Sequence, residues 1–248
     1  MDKFLNRFLA KAQEMLALYP NYLLPTVDVV VASYRPEMAV KLANHINTQS
    51  VKIEQVFLSL QGYTPEQEAK LIASITNAKK VVSIPSQVVD GNIRLGMRNQ
   101  EMAMQCQSDF FAVMDDDEWY FPNYLKGQLA YLKAEQGVFA GKNYPVGYDA
   151  QTAKTGWLFD IPLVPPPFVA GGSMVIKRSL MDDIAFDDIP TGYDATFQGK
   201  VLKQGLAITK TDPFNFLVTR NLKTGHAWNP ERGFAINRLQ VPMSDVIL

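Results

Sequence analysis

The chain has 248 residues, of which 47% are hydrophobic and 20% are charged, a composition typical of a soluble globular protein. Its 24 basic and 25 acidic residues nearly cancel, which argues against a general nucleic-acid binder and against a disordered acidic segment. The single cysteine, Cys106, and the two histidines, His45 and His226, exclude a disulfide framework, a four-cysteine zinc site and histidine-rich metal sites.

Residues 1–25 are predicted to form an amphipathic helix followed by a linker. Apolar residues recur at helical spacing from Phe4 to Tyr19, and Pro20 and Pro25 bracket a break in the pattern. Charged residues interrupt the run, so we predict neither a signal peptide nor a membrane span. We expect a cytoplasmic protein with this helix packed on the domain. A helix that contacts the inner face of the membrane or a partner is the alternative.

The next ninety residues alternate between strand and helix patterns. Continuously apolar strands such as Val27–Ser33 belong to sheets that are buried on both faces. The alternation predicts right-handed βαβ units and a mostly parallel sheet, whose ligands bind beyond the carboxyl ends of the strands. We predict strands over residues 27–33, 52–60, 80–84 and 109–114, and helices over residues 37–49, 65–75 and 94–107.

The second half of the chain has a looser pattern. The absence of an internal repeat or low-complexity linker predicts one domain over residues 26–235, followed by a tail over 236–248. A strand over 169–176 is predicted to be interrupted by Gly171 and Gly172. The other predicted elements are helices over 124–136 and 192–204, strands and loops over 138–161, an extended segment over 162–167 and a short strand over 207–210.

Four consecutive carboxylates, Asp115 to Glu118, follow the predicted strand 109–114, with no cation nearer in the sequence than Lys126. Such crowding is costly unless a cation neutralises it or water screens it. Hard oxygen ligands suit Mg²⁺ or Mn²⁺, which keep open positions for phosphate oxygens. The run therefore predicts a metal site, and a solvated acidic turn that caps the following helix is the alternative.

Three ordered segments extend this interpretation: VDVVVASYRPEM at 27–38, GNIRLGMRNQEMAMQCQSDFFAVMDDDEWYFPNYL at 91–125, and VAGGSMVIKRSLMDDIAFDD with TGYDATFQGKVLKQG within 169–205. Their order and spacing resemble those of the GT-A glycosyltransferases, particularly the family 2 enzymes, from about Val27 to Trp228. The resemblance implies an α/β GT-A fold, with a mostly parallel central sheet flanked by helices and a smaller mixed acceptor-side half.

The resemblance also implies an activity. The chain is expected to be a metal-dependent inverting transferase that moves a sugar from a nucleotide diphosphate sugar to a hydroxyl of a glycan or lipid-linked acceptor, in bacterial surface polysaccharide synthesis. Asp115, Asp117 and His226 fall where relatives hold Mn²⁺ or Mg²⁺. Asp115 and Asp116 are further expected to contact the donor, and Glu118 to hold the loop.

Asp194 is the residue that the resemblance assigns as the base for the acceptor hydroxyl. It aligns with the second acid of the family's E-D pair, whose glutamate is replaced here by Tyr193. An aspartate at the start of a helix also has a purely structural role available, because it satisfies backbone N–H groups. Asp187 and Asp188 are the alternative bases.

Donor recognition is assigned, again by resemblance, to residues that follow the first two strands and to the helix before the acidic run. Relatives commonly carry an aspartate that reads uracil where this chain has Gln61, whose amide can pair with a base, and a UDP-sugar is favoured. A solvated helix face is the alternative for the two arginines. The expected donor-binding residues are Ser33, Tyr34, Arg35, Gln61, Arg94 and Arg98.

Two other functions stay open. A sugar nucleotidyltransferase would share a similar sheet and acidic site, but it would need a Gly-rich, basic loop where this chain has Ser33–Pro36. A non-catalytic module that binds nucleotide sugars or glycans would bind the donor with metal and show neither transfer nor donor hydrolysis.

Overall fold

A computed structural model describes residues 2–19, 23–85, 94–143, 145–152, 155–157, 168–189 and 191–220. The helices within these residues are α1 Asp2–Ala17, α2 Ala39–Asn47, α3 Pro65–Ser74, α4 Leu95–Gln105, α5 Tyr124–Glu135 and α6 Tyr193–Lys203. The strands are β1 Val27–Ser33, β2 Ile53–Leu60, β3 Ala78–Ile84, β4 Phe110–Val113, β5 Trp119–Tyr120, β6 Phe139–Lys142, β7 Val146–Asp149, β8 Thr155–Trp157, β9 Val175–Lys177, β10 Thr209–Thr211 and β11 Phe216–Arg220.

The central sheet has seven strands in the order β10-β6-β9-β4-β1-β2-β3. The first strand lies in its interior, where Val30 pairs with Phe57 of β2 and with Val113 of β4, both in parallel. Only β9 runs against its neighbours, β4 and β6. The prediction of a mostly parallel central sheet is therefore confirmed, and β1, β4 and β6 have their carboxyl ends at the same edge.

Both faces of this sheet are covered, as the apolar strands predict. Val29 and Val31 of β1 pack in a cluster with Leu42 of α2 and Leu125 of α5, whereas Val30 packs in a second cluster with Met102 of α4. Successive side chains of a strand point to opposite faces, which accounts for the two clusters. Helices α2, α3 and α5 thus cover one face, and α4 and α6 cover the other.

A smaller four-stranded sheet has the order β5-β11-β7-β8. Helix α1 packs on this part of the molecule through Phe8, whose ring lies 5.9 Å from that of Phe121 and 5.3 Å from that of Phe214. Phe8 is buried, so the N-terminal helix packs on the domain as predicted. Among the residues that the structure describes, no helix is long and apolar enough to cross a membrane.

The structure differs from the sequence prediction at three places. Gly171–Ser173 forms a turn of 3-10 helix before β9, and not an interrupted strand. Strands β5 and β11 were not predicted, because each is short and its partner lies far away in the sequence. The predicted segment over 162–167 and the tail over 236–248 lie outside the described residues.

Candidate active site

A cavity of about 370 Å³ lies where the carboxyl ends of β1, β4 and β6 meet the small sheet. Its walls come from the turn after β1, the acidic run after β4, the 3-10 turn before β9 and the start of α6. The lining residues that the sequence prediction had singled out are Tyr34, Arg35, Asp115, Asp116, Asp117, Glu118, Gly171, Gly172, Tyr193 and Asp194. Side chains from distant parts of the sequence therefore meet at one site.

Three carboxylates of the acidic run can hold a metal ion. Asp115, Asp117 and Glu118 each offer an oxygen, and these atoms lie within 4.8 Å of one another. Burial, together with the charges of Asp117 and Asp116, raises the pKa of Asp115 to about 7. Such a shift indicates a carboxylate short of positive charge. The set of hard oxygen donors and this deficit both fit Mg²⁺ or Mn²⁺.

Asp116 lies on the side of the run that faces β1. Ser33 Oγ donates to Asp116 Oδ2 at 2.5 Å, and Arg35 Nη2 lies 2.7 Å from Asp116 Oδ1. Arg35 Nη1 also donates to Asp117 Oδ2 at 2.7 Å. Burial disfavours the charged guanidinium, but Asp117 and Asp116 outweigh it and raise the pKa of Arg35. Arg35 therefore joins the turn after β1 to two of the four acids.

Glu118 lies on the opposite side of the run, against β11. The backbone N–H of Thr219 donates to Glu118 Oε2, and Arg220 Nη1 lies 3.6 Å from Glu118 Oε1. The hydroxyl of Thr219 donates to the backbone oxygen of Asp117. The loop-holding role expected for Glu118 thus has a concrete partner in β11, although Glu118 also remains within reach of a metal.

Asp194 begins helix α6 and reaches the same cavity from the other wall. A Cβ atom added to Gly171 would lie 2.6 Å from Asp194 Oδ2, and one added to Gly172 would lie 2.5 Å from Asp115 Oδ2. The two glycines are therefore the residues that let the Asp194 and Asp115 carboxylates approach the turn. Burial raises the pKa of Asp194, which makes it a stronger base than an exposed aspartate.

Tyr120, which the sequence prediction missed, holds this wall together. Its hydroxyl accepts a hydrogen bond from the backbone N–H of Asp115 at 2.7 Å and donates one to the backbone oxygen of Gly172 at 2.7 Å. Lys41, also missed, donates to the backbone oxygen of Asp117 at 2.6 Å. Both contacts bridge separate elements, and neither has a local sequence signal.

The alternative bases, Asp187 and Asp188, do not line the cavity. Lys200 Nζ lies 2.6 Å from Asp187 Oδ1, and this hydrogen bond is the main reason that the pKa of Asp187 is lowered. Asp188 pairs with Arg94 at 2.7 Å. Arg94 is likewise absent from the cavity wall, so the structure does not bring it together with the acidic run.

Arg98 and Gln61 contact each other beyond the end of β2. Arg98 Nη2 donates to Gln61 Oε1 at 2.6 Å, and the Arg98 side chain is buried. Neither residue lines the cavity of the acidic run. Among the described residues, Nε and Nη1 of Arg98 have no hydrogen-bond partner. The contact of these two residues with a donor stays a prediction, as does that of Ser33.

The structure describes only one of the two histidines. His226 lies outside the described residues, so its role as a metal ligand stays a prediction. The ring of His45 lies 5.5 Å from that of Trp119 and 6.0 Å from that of Tyr120. Burial lowers the pKa of His45 to about 4, which keeps its ring neutral at neutral pH.

Comparison with solved structures gives the fold. The structure of residues 1–349 of TarS from S. aureus superposes with a TM-score of 0.60 at 16% identity, covering 78% of this chain and 60% of that one. The chain has the GT-A glycosyltransferase fold. TarS 1–349 in complex with UDP-GlcNAc superposes with a TM-score of 0.61 at 15% identity, covering 79% of this chain and 59% of that one.

A second similar structure comes from another organism. Mannosyltransferase PcManGT from Pyrobaculum calidifontis, in complex with GDP-Man and Mn²⁺, superposes with a TM-score of 0.61 at 13% identity, covering 92% of this chain and 68% of that one. The chain spans only about 60% of the TarS fragment. Neither a protein-family model nor a curated protein matches the sequence.

Proposed function

We propose that this chain is a metal-dependent inverting glycosyltransferase that resembles the family 2 enzymes. It moves a sugar from a nucleotide diphosphate sugar to a hydroxyl of a glycan or lipid-linked acceptor. The observation that carries this proposal is the meeting of a three-carboxylate cluster and Asp194 in one cavity of a GT-A fold. Bacterial surface polysaccharide synthesis in the cytoplasm, at the inner face of the membrane, is the setting that we propose.

Asp115 and Asp117 are the residues that we propose to hold Mn²⁺ or Mg²⁺, with Glu118 within reach and His226 as a further ligand. A divalent cation bound there stabilises the negative charge that accumulates on the diphosphate as the glycosidic bond breaks. Asp117 contacts Arg35 through Oδ2 and, because a carboxylate has two oxygens, it would be able to hold the cation as well.

Asp194 is the proposed base. Its carboxylate accepts the proton of the acceptor hydroxyl while that oxygen attacks the anomeric carbon of the donor sugar. The bond from this carbon to the phosphate oxygen then breaks, the nucleoside diphosphate leaves, and the configuration at the carbon inverts. A pKa raised by burial suits this task, because proton acceptance improves as the pKa approaches the working pH.

The donor is proposed to lie between the turn after β1 and the acidic run. Tyr34 lines the cavity and offers a ring to the base. Arg98 does not line the cavity, but its Nε and Nη1 have no hydrogen-bond partner among the described residues, and we keep it as a proposed donor contact. A nucleotide sugar as donor is supported by the contents of the similar structures, which hold UDP-GlcNAc, UDP, or GDP-Man with Mn²⁺. We favour a UDP-sugar. Asp116 acts indirectly in this proposal, through Arg35.

A panel of UDP- and GDP-sugars, each with and without Mn²⁺, tests the proposal. Thermal shift reports binding, since a ligand that binds the native state raises its melting temperature, and mass spectrometry reports transfer and donor hydrolysis. We expect a shift with at least one donor that requires Mn²⁺. Asp117→Asn should lose that shift, and Asp194→Asn should keep it while transfer falls by about 10²–10⁴-fold.

Asp182→Asn is the matched control, because Asp182 lies in an exposed ion pair with Arg178 away from the cavity. It should behave as the wild type does. Transfer at the wild-type rate by Asp194→Asn would overturn the assignment of the base. A complete lack of metal-dependent shifts would overturn the metal site, and binding without transfer or hydrolysis would identify a non-catalytic module.

A further inference from the structure

Asn143 follows β6 and lies in the wall of the cavity that contains Asp115 and Asp194. Only 3% of the residue is exposed. Within the part of the chain that the structure describes, neither Oδ1 nor Nδ2 of Asn143 has a hydrogen-bond partner. A whole amide group, with its donors and its acceptor, is therefore removed from bulk water beside the cavity.

Asn77 is a half-buried asparagine that serves the fold, and it has a different environment. Nδ2 of Asn77 donates to the backbone oxygens of Ile46, Gln49 and Val51, and this amide ties the end of α2 to the loop before β2. Buried polar groups in proteins are nearly always paired in this way, because an unpaired one forfeits its hydrogen bonds to water. The Asn143 amide makes no such contribution to the fold, which points to a partner that binds from the cavity.

The backbone places Asn143 on the same wall as Asp194. The N–H of Ala170 donates to the backbone oxygen of Lys142 at 2.9 Å, and the N–H of Lys142 donates to Ser173 Oγ at 2.8 Å. The end of β6 is thus fixed against the 3-10 turn whose Gly171 contacts Asp194.

The sheet sets the distance between Asn143 and the acidic run. Strands β6 and β4 are parallel and separated by β9, so Asn143 and Asp115 follow strand ends that lie two strand spacings apart. Two such spacings amount to about 10 Å. The turn Gly171–Ser173 precedes β9 and lies between the two strand ends, so a sugar that contacts both side chains would lie in the cavity over this turn, which both residues line.

A hydroxyl group is the partner that best matches the donor and the acceptor of the Asn143 amide. A hydroxyl both donates and accepts, and it satisfies Oδ1 and Nδ2 in turn, whereas a phosphate oxygen only accepts and a metal ion cannot use Nδ2. Phe216 and Val218 line the same cavity and supply apolar surface. Apolar walls with a few polar groups are the usual composition of a site that orients a small polar ligand, and the C–H face of a sugar ring matches such walls.

We propose that Asn143 binds a ring hydroxyl of the sugar that is transferred, or of the acceptor sugar that receives it, and thereby determines which sugar the enzyme takes. This inference rests on the proposed function. Asn143 is a specificity-determining residue in this account and takes no part in proton transfer, which belongs to Asp194.

Asn143→Leu tests the inference, because leucine has a similar shape and lacks the amide. The donors are UDP-GlcNAc and GDP-mannose with Mn²⁺, and the rates of donor hydrolysis and of transfer are measured separately. We expect kcat/KM to fall by about tenfold or more. A fall in both rates assigns the hydroxyl to the donor, and a fall in transfer alone assigns it to the acceptor.

Stability is the second readout. Because the Asn143 amide has no partner in the described fold, Asn143→Leu should keep or raise the melting temperature. Ser59→Ala is the matched control, since Ser59 Oγ is also buried and unpartnered among the described residues but does not line the cavity. This control should change neither the melting temperature nor the rates.

A wild-type value of kcat/KM in Asn143→Leu would overturn the inference. A fall in melting temperature in both Asn143→Leu and Asn143→Ala would also overturn it, because it would show that the amide serves the fold. The failure of the proposed function is distinguishable from these outcomes. In that case the wild-type chain itself would show no metal-dependent response to either donor.

Discussion

The two sides of the cavity differ in how their charges are satisfied. On the first-strand side, defined as Tyr34, Arg35, Asp116 and Asp117, one guanidinium lies 2.7 Å from an oxygen of each carboxylate. On the Asp194 side, defined as Asp115, Asn143, Gly171 and Asp194, no lysine or arginine among the described residues forms an ion pair with either carboxylate. The Asn143 amide on that side is unpartnered as well.

This difference divides the acidic run: Asp116 is neutralised by Arg35, whereas Asp117 contacts Arg35 and is also one of the three carboxylates that can hold a metal ion. Asp115 and Asp116 are neighbours in the sequence and burial raises the pKa of both, yet only Asp116 is bonded to Ser33 and Arg35, whereas Asp115 forms no ion pair among the described residues. An acidic run can therefore serve two purposes at once. Asp116 holds the turn after β1 in place, and we propose that Asp115 supplies a metal ligand.

The largest expected effect comes from breaking the first-strand side. Arg35→Gln leaves Asp116 and Asp117 buried without their cation, so we expect the free energy of unfolding to fall by about 3–5 kcal/mol, measured by urea denaturation. Lys11→Gln is the control, because its ion pair with Glu14 is exposed and should contribute about 0.5 kcal/mol or less. Equal losses in the two variants would contradict the role given to Arg35.

A smaller effect is expected on the Asp194 side from Gly171→Ala. Its Cβ would lie 2.6 Å from Asp194 Oδ2 and 3.0 Å from Asp194 Cβ, so the carboxylate must move. Displacing a reacting group in this way should lower kcat for transfer by about 10- to 100-fold while donor binding is kept. Gly127→Ala is the control, since its Cβ would meet nothing within 4 Å. Unchanged kcat in Gly171→Ala would show that Asp194 does not act from this position.

The smallest expected effect concerns the pH dependence of stability. The pKa of Asp115 in the fold is about 7, above its ordinary value, so the folded state holds a proton that the unfolded state releases. This contribution to stability is present at low pH and is lost as the pH rises through about 7. We measure the unfolding free energy of Asp115→Asn minus that of the wild type in metal-free buffer. This difference should increase by about 1–3 kcal/mol between pH 5 and pH 8.

Mn²⁺ supplies a control for this comparison of the wild type with Asp115→Asn. Saturating Mn²⁺ at pH 8 should stabilise the wild type and leave Asp115→Asn unchanged, because the variant lacks the proposed ligand. A constant difference between the two proteins at pH 5 and pH 8 would contradict the raised pKa of Asp115.

The sequence predicted those features that depend on residues close together in the chain. The β-branched run Val27–Ser33 predicts an interior strand, and the acids that follow β4 predict a carboxylate cluster at the sheet edge, as the structure shows. The start of helix α6 was predicted to within one residue. Each of these features depends on residues that are neighbours in the sequence.

The remainder of the site depends on contacts that no local pattern encodes. Arg35 reaches Asp116 across 81 positions of the chain, and Glu118 is held by Thr219 on a strand that was not predicted. Asn143 carries no motif, and the role proposed for it rests on its burial and on the lack of a hydrogen-bond partner among the described residues. Gly171 was predicted to interrupt a strand, and the structure shows that its missing side chain makes room for Asp194.

The measurement that tests the central claim most directly is Mn²⁺ binding by Asp115→Asn and Asp116→Asn, in the presence of the nucleoside diphosphate that gives the largest thermal shift. Asp115→Asn should bind Mn²⁺ about 100-fold more weakly than the wild type. Asp116→Asn should bind Mn²⁺ as the wild type does and lose about 1–3 kcal/mol of unfolding free energy, because its partner is Arg35. The reverse result, with Mn²⁺ binding lost in Asp116→Asn and kept in Asp115→Asn, would contradict the division of the acidic run between fold and ligand.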